Sequence, residues 1–118
     1  MRSLPYTRAD RIKKLIHREA AKIVASLKDP RAAEVTITWV DISPDLRYAK
    51  IYFSVTNKEH LQQAKDMFAS AKGYIRSQIA SRLRLRHAVD IEFVYDKFLE
   101  QTSRVLFLLD KMKDEKSI

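Results

Sequence analysis

Apolar residues near the start of the chain recur at Ile12, Ile16, Ala20, Ile23 and Leu27. The intervals of four, four, three and four trace one stripe of an amphipathic helix. Thr7 followed by Asp10 is an N-cap signal. A helix over residues 8–28 is expected, ended by Asp29-Pro30, because proline lacks the amide hydrogen and pushes its predecessor out of helical space. The period then changes to two. Val35-Thr36-Ile37-Thr38-Trp39-Val40 is rich in β-branched residues and reads as a strand. Ser43-Pro44-Asp45 is turn chemistry, and beyond it Ala49, Ile51, Phe53 and Val55 alternate with Tyr48, Lys50, Tyr52 and Ser54 in a second strand, antiparallel to the first. Helical spacing returns near Lys58, runs through Leu61, Ala64, Phe68 and Ala71, and resumes after Gly73 through Ile75, Ile79 and Leu83. Two helices meeting at Gly73 are expected. Ile91, Phe93 and Tyr95 mark a third strand, and Phe98, Val105, Leu106, Leu108 and Leu109 a short covering segment. The order is α-β-β-α-α-β, an α+β fold with a three-stranded sheet.

Length and charge narrow the function. At 118 residues the chain suits one domain. It contains no cysteine, so disulfide scaffolds, thiolate metal sites and cysteine catalysis are excluded. The start of the chain lacks a signal-peptide core, and no stretch approaches the roughly 20 apolar residues of a membrane span, so a cytoplasmic protein without membrane contact is expected. Net charge is +8, which points to a polyanionic partner. Residues 1–28 hold eight Lys or Arg against Asp10 and Glu19, a net of +6, and residues 67–89 hold five with no acid, a net of +5. The remainder has ten bases and thirteen acids, a net of −3. The excess is gathered in two segments.

Arg11, Lys14, Arg18 and Lys22 recur opposite the apolar stripe of the first helix. A solvated face usually mixes Glu with Lys for i,i+4 pairs, and here only Glu19 is at hand, which favours a binding face. Gly73 is the only glycine, where average usage gives roughly eight. Taken alone it reads as a left-handed helix cap. Beside Lys72, Arg76, Arg84 and Arg86 it also reads as a place where a phosphate backbone comes close. The two basic helices are expected to form one cradle for ribose-phosphate around an exposed Gly73. Tyr48 and Tyr52 read as ordinary strand residues before base-stacking platforms.

His17, His60 and His87 share no metal-ligand spacing, and each reads as a surface or nucleic-acid-contacting histidine. The single glycine also excludes glycine-rich phosphate loops. No cofactor, metal or small-molecule substrate is expected, and no apolar stripe demands more than a monomer. A non-enzymatic RNA-binding protein is the first reading. A small RNA-cleaving enzyme using His17 and His87 and a basic protein-binding adaptor are the alternatives.

Several runs resemble the bacterial ribosome-binding factor A family: Ser43-Pro44-Asp45-Leu46-Arg47-Tyr48-Ala49-Lys50-Ile51-Tyr52, Ala71-Lys72-Gly73-Tyr74-Ile75-Arg76-Ser77, Leu85-Arg86-His87 and Phe93-Val94-Tyr95-Asp96. Asp29-Pro30-Arg31 and Val35-Thr36-Ile37 fit as well. The resemblance covers about residues 5–109 and implies a type II KH-like fold. One KH-like domain is expected over residues 1–110, and the mixed-charge tail at residues 111–118 is expected to be disordered. The resemblance implies an Ala-x-Gly kink at Ala71-Lys72-Gly73 in place of the usual phosphate-clamping loop. It also implies a non-enzymatic assembly factor that contacts the small ribosomal subunit and its rRNA, assists late processing and matters in the cold. Arg11, Lys14, Arg18, Lys22, Lys72, Gly73, Arg76, Arg84 and Arg86 are the expected RNA-binding residues. Where the family commonly has a proline after Leu-Arg-His, this chain has Ala88-Val89-Asp90, which predicts a looser entry into the third strand.

Overall fold

The computed structural model describes residues 6–98, 106 and 108–112. The first helix, α1 (Arg8–Ser26), begins at a reciprocal cap. The Thr7 hydroxyl oxygen accepts the Asp10 amide at 3.1 Å, and the Asp10 carboxylate accepts the Thr7 amide at 3.0 Å. Two amides that a first turn leaves open are thereby satisfied. Ile12, Ile16, Ala20 and Ile23 are buried as their spacing predicts. The helix stops at Ser26, short of residue 28, because Leu27 turns to extended backbone (φ −65°, ψ 137°). Asp29-Pro30 does not end α1 but opens a 3-10 turn, Pro30–Glu34, in which the Asp29 side chain accepts the Arg31 amide. Proline suits that first position, where its missing N–H has no partner to lose.

Strand β1 (Val35–Ile42) pairs antiparallel with β2 (Tyr48–Val55), with a bulge between Ile37 and Trp39. In the connecting turn the Ser43 carbonyl accepts the Leu46 amide at 2.9 Å, and Leu46 adopts left-handed backbone (φ 62°). Strand β3 (Asp90–Tyr95) adds to β2 in parallel, so the sheet order is β1-β2-β3. Its entry is tied down rather than loose. Val89 is buried, and the Asp90 amide donates to the Arg47 carbonyl at 2.8 Å.

Between β2 and β3 a 3-10 turn, Lys58–His60, leads into one helix, α2 (Leu61–Leu83), that passes through Gly73 without interruption. The expected pair of helices meeting at Gly73 is therefore not formed. No glycine takes a positive φ. Glycine in a helix interior costs about 0.5–1 kcal/mol relative to alanine, and burial of Phe68 and Ile75 on either side outweighs that. The left-handed cap instead falls on Arg84 (φ 51°), whose amide donates to the Ala80 carbonyl. The chain order is thus α-β-β-α-β, plus short 3-10 turns.

Helix α1 lies over β1 and α2 over β3, both on one face of the sheet. Phe68 of α2 stacks on Phe93 of β3 with centroids 4.0 Å apart and meets Phe53 of β2 at 4.7 Å. Ile16, Ile23, Ile51 and Ile75 fill the layer between, and no polar residue among those described is buried there. Residues 108–112 are helical, but Phe98, Leu106, Leu108 and Leu109 stay exposed. They do not cover the core as expected, because the two helices already occupy its one buried face. Val105 and residues 113–118 of the expected tail lie outside the described residues.

A Cβ built on Gly73 meets nothing within 4 Å. Gly73→Ala is therefore expected to stabilise the fold by roughly 0.5–1 kcal/mol, read as a higher urea midpoint at unchanged slope. A lower midpoint would show that the glycine backbone is required.

Candidate nucleic-acid interface

Arg11, Lys14, Arg18 and Lys22 are all exposed. At 100° per residue they fall within an arc of about 80° opposite Ile16. Burial of Ile12, Ile16, Ala20 and Ile23 by the sheet and α2 is what turns this row to solvent.

On α2 the cations divide between two flanks. Arg82 reaches across to α1, where its guanidinium donates to the Glu19 carboxylate at 3.1 Å. Glu19 also lies 3.5 Å from Arg18 and 3.9 Å from Lys22. Three cations thus share one carboxylate that is only 14% exposed. The hydrogen bond from Arg82, with the charges of Lys22 and Arg18, holds the Glu19 carboxyl below its ordinary value. Lys72 lies on the other flank, lining hollows with Phe68, Glu92 and Phe93 and with Tyr48 and Asp90. Arg76, one turn on, shares that flank and is exposed, as are Arg84 and Arg86 beyond the helix end.

Gly73 is exposed, as close approach requires. It lies with Ser70 and Ser77 on the outward side of α2, between the α1 row and the Lys72/Arg76 pair. The expected single cradle is thus two basic strips on either side of a low ridge of small side chains. The strips are held in register where Arg82 meets Glu19.

The histidines are engaged otherwise than expected. His17 is half-buried, with Nε2 3.1 Å from the Ile37 carbonyl, where it joins α1 to β1. His60 Nδ1 lies 2.8 Å from the Glu34 carboxylate and joins the two 3-10 turns. His87 alone is exposed. Among the described residues no group of three or more His, Asp or Glu is placed to hold a metal ion.

With this geometry in place, the comparisons with known proteins decide the family. The ribosome-binding factor A model matches residues 8–109. The chain belongs to that family. A ribosome-binding factor A from Thermodesulfovibrio yellowstonii is 40% identical over 110 residues, covering 92% of this chain and 93% of the relative. The solution structure of a Thermotoga maritima protein described as a putative ribosome binding factor A superposes with a TM-score of 0.69 at 31% identity, over 79% of this chain and 91% of that one. A homology model of the Thermus thermophilus factor, fitted into a cryo-EM map of a 30S complex, matches with a TM-score of 0.59 at 24% identity, over 71% of this chain and 90% of that one. The fold is accordingly the α+β, KH-like one expected, with α2 continuous. Relatives in the family carry the name of a binding factor, not of an enzyme, and a ribosome-binding role follows for the family.

One feature of the interface was not legible from spacing. Lys13 belongs to the basic helix but turns aside, with Nζ 4.1 Å from the centre of the Trp39 ring. No local pattern pairs residues of α1 and β1.

The Glu19 cluster has a signed pH dependence. The folded protein holds this proton less tightly than the unfolded chain, so the contribution is complete above the ordinary glutamate value of about 4.5 and is lost as pH falls through the lower folded value. Urea unfolding at pH 6 and pH 3.5 should show a smaller acid loss in Glu19→Gln than in the parent. Equal losses would place the acid sensitivity elsewhere.

Proposed function

We propose that this chain binds the small ribosomal subunit through its rRNA and, without catalysis, assists late assembly and rRNA processing in the cytoplasm. The observation that carries this reading is the α1 row. Arg11, Lys14, Arg18 and Lys22 share one open face, with only Asp10 at its start and Glu19 at its edge as acids of the same helix. Such a row neutralises successive phosphates and releases their counterions, so it supplies affinity and orientation rather than base specificity. Lys72 and Arg76 add phosphate contacts from the other flank of α2, with Arg84 and Arg86 at its end. Gly73 between them lets an RNA backbone approach where any side chain would stand in the way. The Thermus thermophilus relative fitted into a 30S complex supports the choice of the small subunit. A domain held this way would keep pre-ribosomal RNA in an immature arrangement until processing is complete, a role that fits work in the cold, where misfolded RNA is slow to rearrange.

The alternative, a small RNA-cleaving enzyme, loses a candidate acid-base group. His17 is half-buried and set against the Ile37 carbonyl rather than open to substrate.

Binding to isolated small subunits should weaken steeply with salt. Arg11→Ala with Lys14→Ala removes two phosphate contacts and should lower the slope of log affinity against log salt by roughly 1.4–1.8. Filter binding or sedimentation across a salt series reads this directly, and an unchanged slope takes α1 off the interface.

A further inference from the structure

The face of the sheet turned away from the helices, which none of the described residues covers, differs in kind from the helix layer. Register places its outward side chains in rows: Thr36 beside Ser54; Trp39, Tyr52 and Val94; Asp41, Lys50 and Glu92; and Tyr48 beside Asp90. The bulge between Ile37 and Trp39 turns Thr38 to the same side, where its hydroxyl donates to the Asp96 carboxylate at 2.6 Å. Thr38, Trp39, Tyr52, Asp96 and Phe98 line an open hollow of about 460 Å³. Trp39 is 52% exposed and Phe98 74% exposed. Asp41, Asp90, Glu92 and Asp96 against Lys50 and the Lys13 ammonium laid over the Trp39 ring leave this face with a net charge of −2. Helix α1 carries six bases against Asp10 and Glu19, a net of +4, and α2 carries Lys65, Lys72, Arg76 and Arg82 against Asp66, a net of +3. The molecule therefore has a cationic helix side and an acidic, aromatic sheet side.

Exposed aromatic rings in a hollow are anchors for a partner. The charge decides which partner. A phosphate backbone is repelled by four carboxylates, whereas a basic protein segment is attracted. We infer that the open sheet face is a second contact surface of the small-subunit complex, one that takes a lysine- or arginine-bearing protein segment with an apolar anchor seated in the Trp39–Tyr52–Phe98 hollow. RNA is held by the helices and protein by the sheet. The inference rests on the ribosome-binding reading above but concerns a different surface and a different class of partner.

The experiment compares binding of the full chain to intact small subunits and to the same rRNA stripped of protein. Trp39→Ala should weaken binding to subunits about tenfold and leave binding to stripped rRNA unchanged, while Trp39→Phe retains most of the affinity. Asp41→Asn with Glu92→Gln should also weaken subunit binding, because attraction to a basic segment is lost. An RNA partner requires the opposite sign, so tighter binding of that double variant, or equal loss of both targets in Trp39→Ala, overturns the inference. No effect on subunits from either variant overturns it too, given an unchanged urea midpoint. So does a change in the sedimenting mass of the protein alone in Trp39→Ala, which would make a second copy the occupant. Trp39 is the only tryptophan. A shift of its emission in Leu106→Ser with Leu109→Ser would make the chain's own C-terminal segment the occupant and has the same consequence. If the parent binds subunits but not stripped rRNA, the RNA reading fails while the sign of the carboxylate effect still tests the sheet.

Discussion

Phe68 held between Phe93 at 4.0 Å and Phe53 at 4.7 Å is the contact on which the architecture depends. Strand β3 can lie parallel to β2 only if the chain crosses back over the sheet, and α2 is that crossover. The aromatic cluster seats it across both strands. Each buried ring contributes about 1.5–3 kcal/mol of apolar burial, and stacking adds to that. Once α2 is seated over β3 and α1 over β1, one sheet face is closed, and among the described residues no element covers the other.

That partition governs the electrostatics. The side chains turned away from the buried layer on α1 are mostly Lys and Arg, so covering the apolar stripe presents the bases. Glu19 sits where the helices meet, and its ion pair with Arg82 engages one cation of α2 while linking the two helices. The outward side of the sheet carries the carboxylates of β1 and β3. With a screening length of about 8 Å at physiological salt, the two sides act on their surroundings largely independently. The acidic sheet side therefore does not cancel the attraction of the helix side for a polyanion.

Most of the elements were legible because their signals are local. The stripe from Ile12 to Ile23, the Thr7/Asp10 cap and the alternation from Ala49 to Val55 all appear where spacing predicts. Failures came where a local signal competed with packing. Gly73 has the conformational freedom of a cap, yet it lies inside α2, since Ile75 and Ile79 beyond it are buried only if the helix continues. Arg84 has no such freedom, and still takes the left-handed cap, because the chain must turn there to reach β3. Phe98, Leu106, Leu108 and Leu109 have the composition of a core segment but stay exposed, since the helices already cover the buried face of the sheet.

By itself the sequence determined the helix and strand content, the gathering of positive charge into two segments and the resemblance to a ribosome-binding family, because periodicity, charge and motif order are properties of neighbours along the chain. Only the tertiary structure decided that Arg82 turns inward to Glu19 while Lys72 turns toward β3, that His17 meets the Ile37 carbonyl, and that Trp39, Tyr52 and Phe98 line one hollow. Those relations depend on which faces of distant elements pack together, and the packing is chosen by burial of the apolar layer as a whole rather than by any local run of residues.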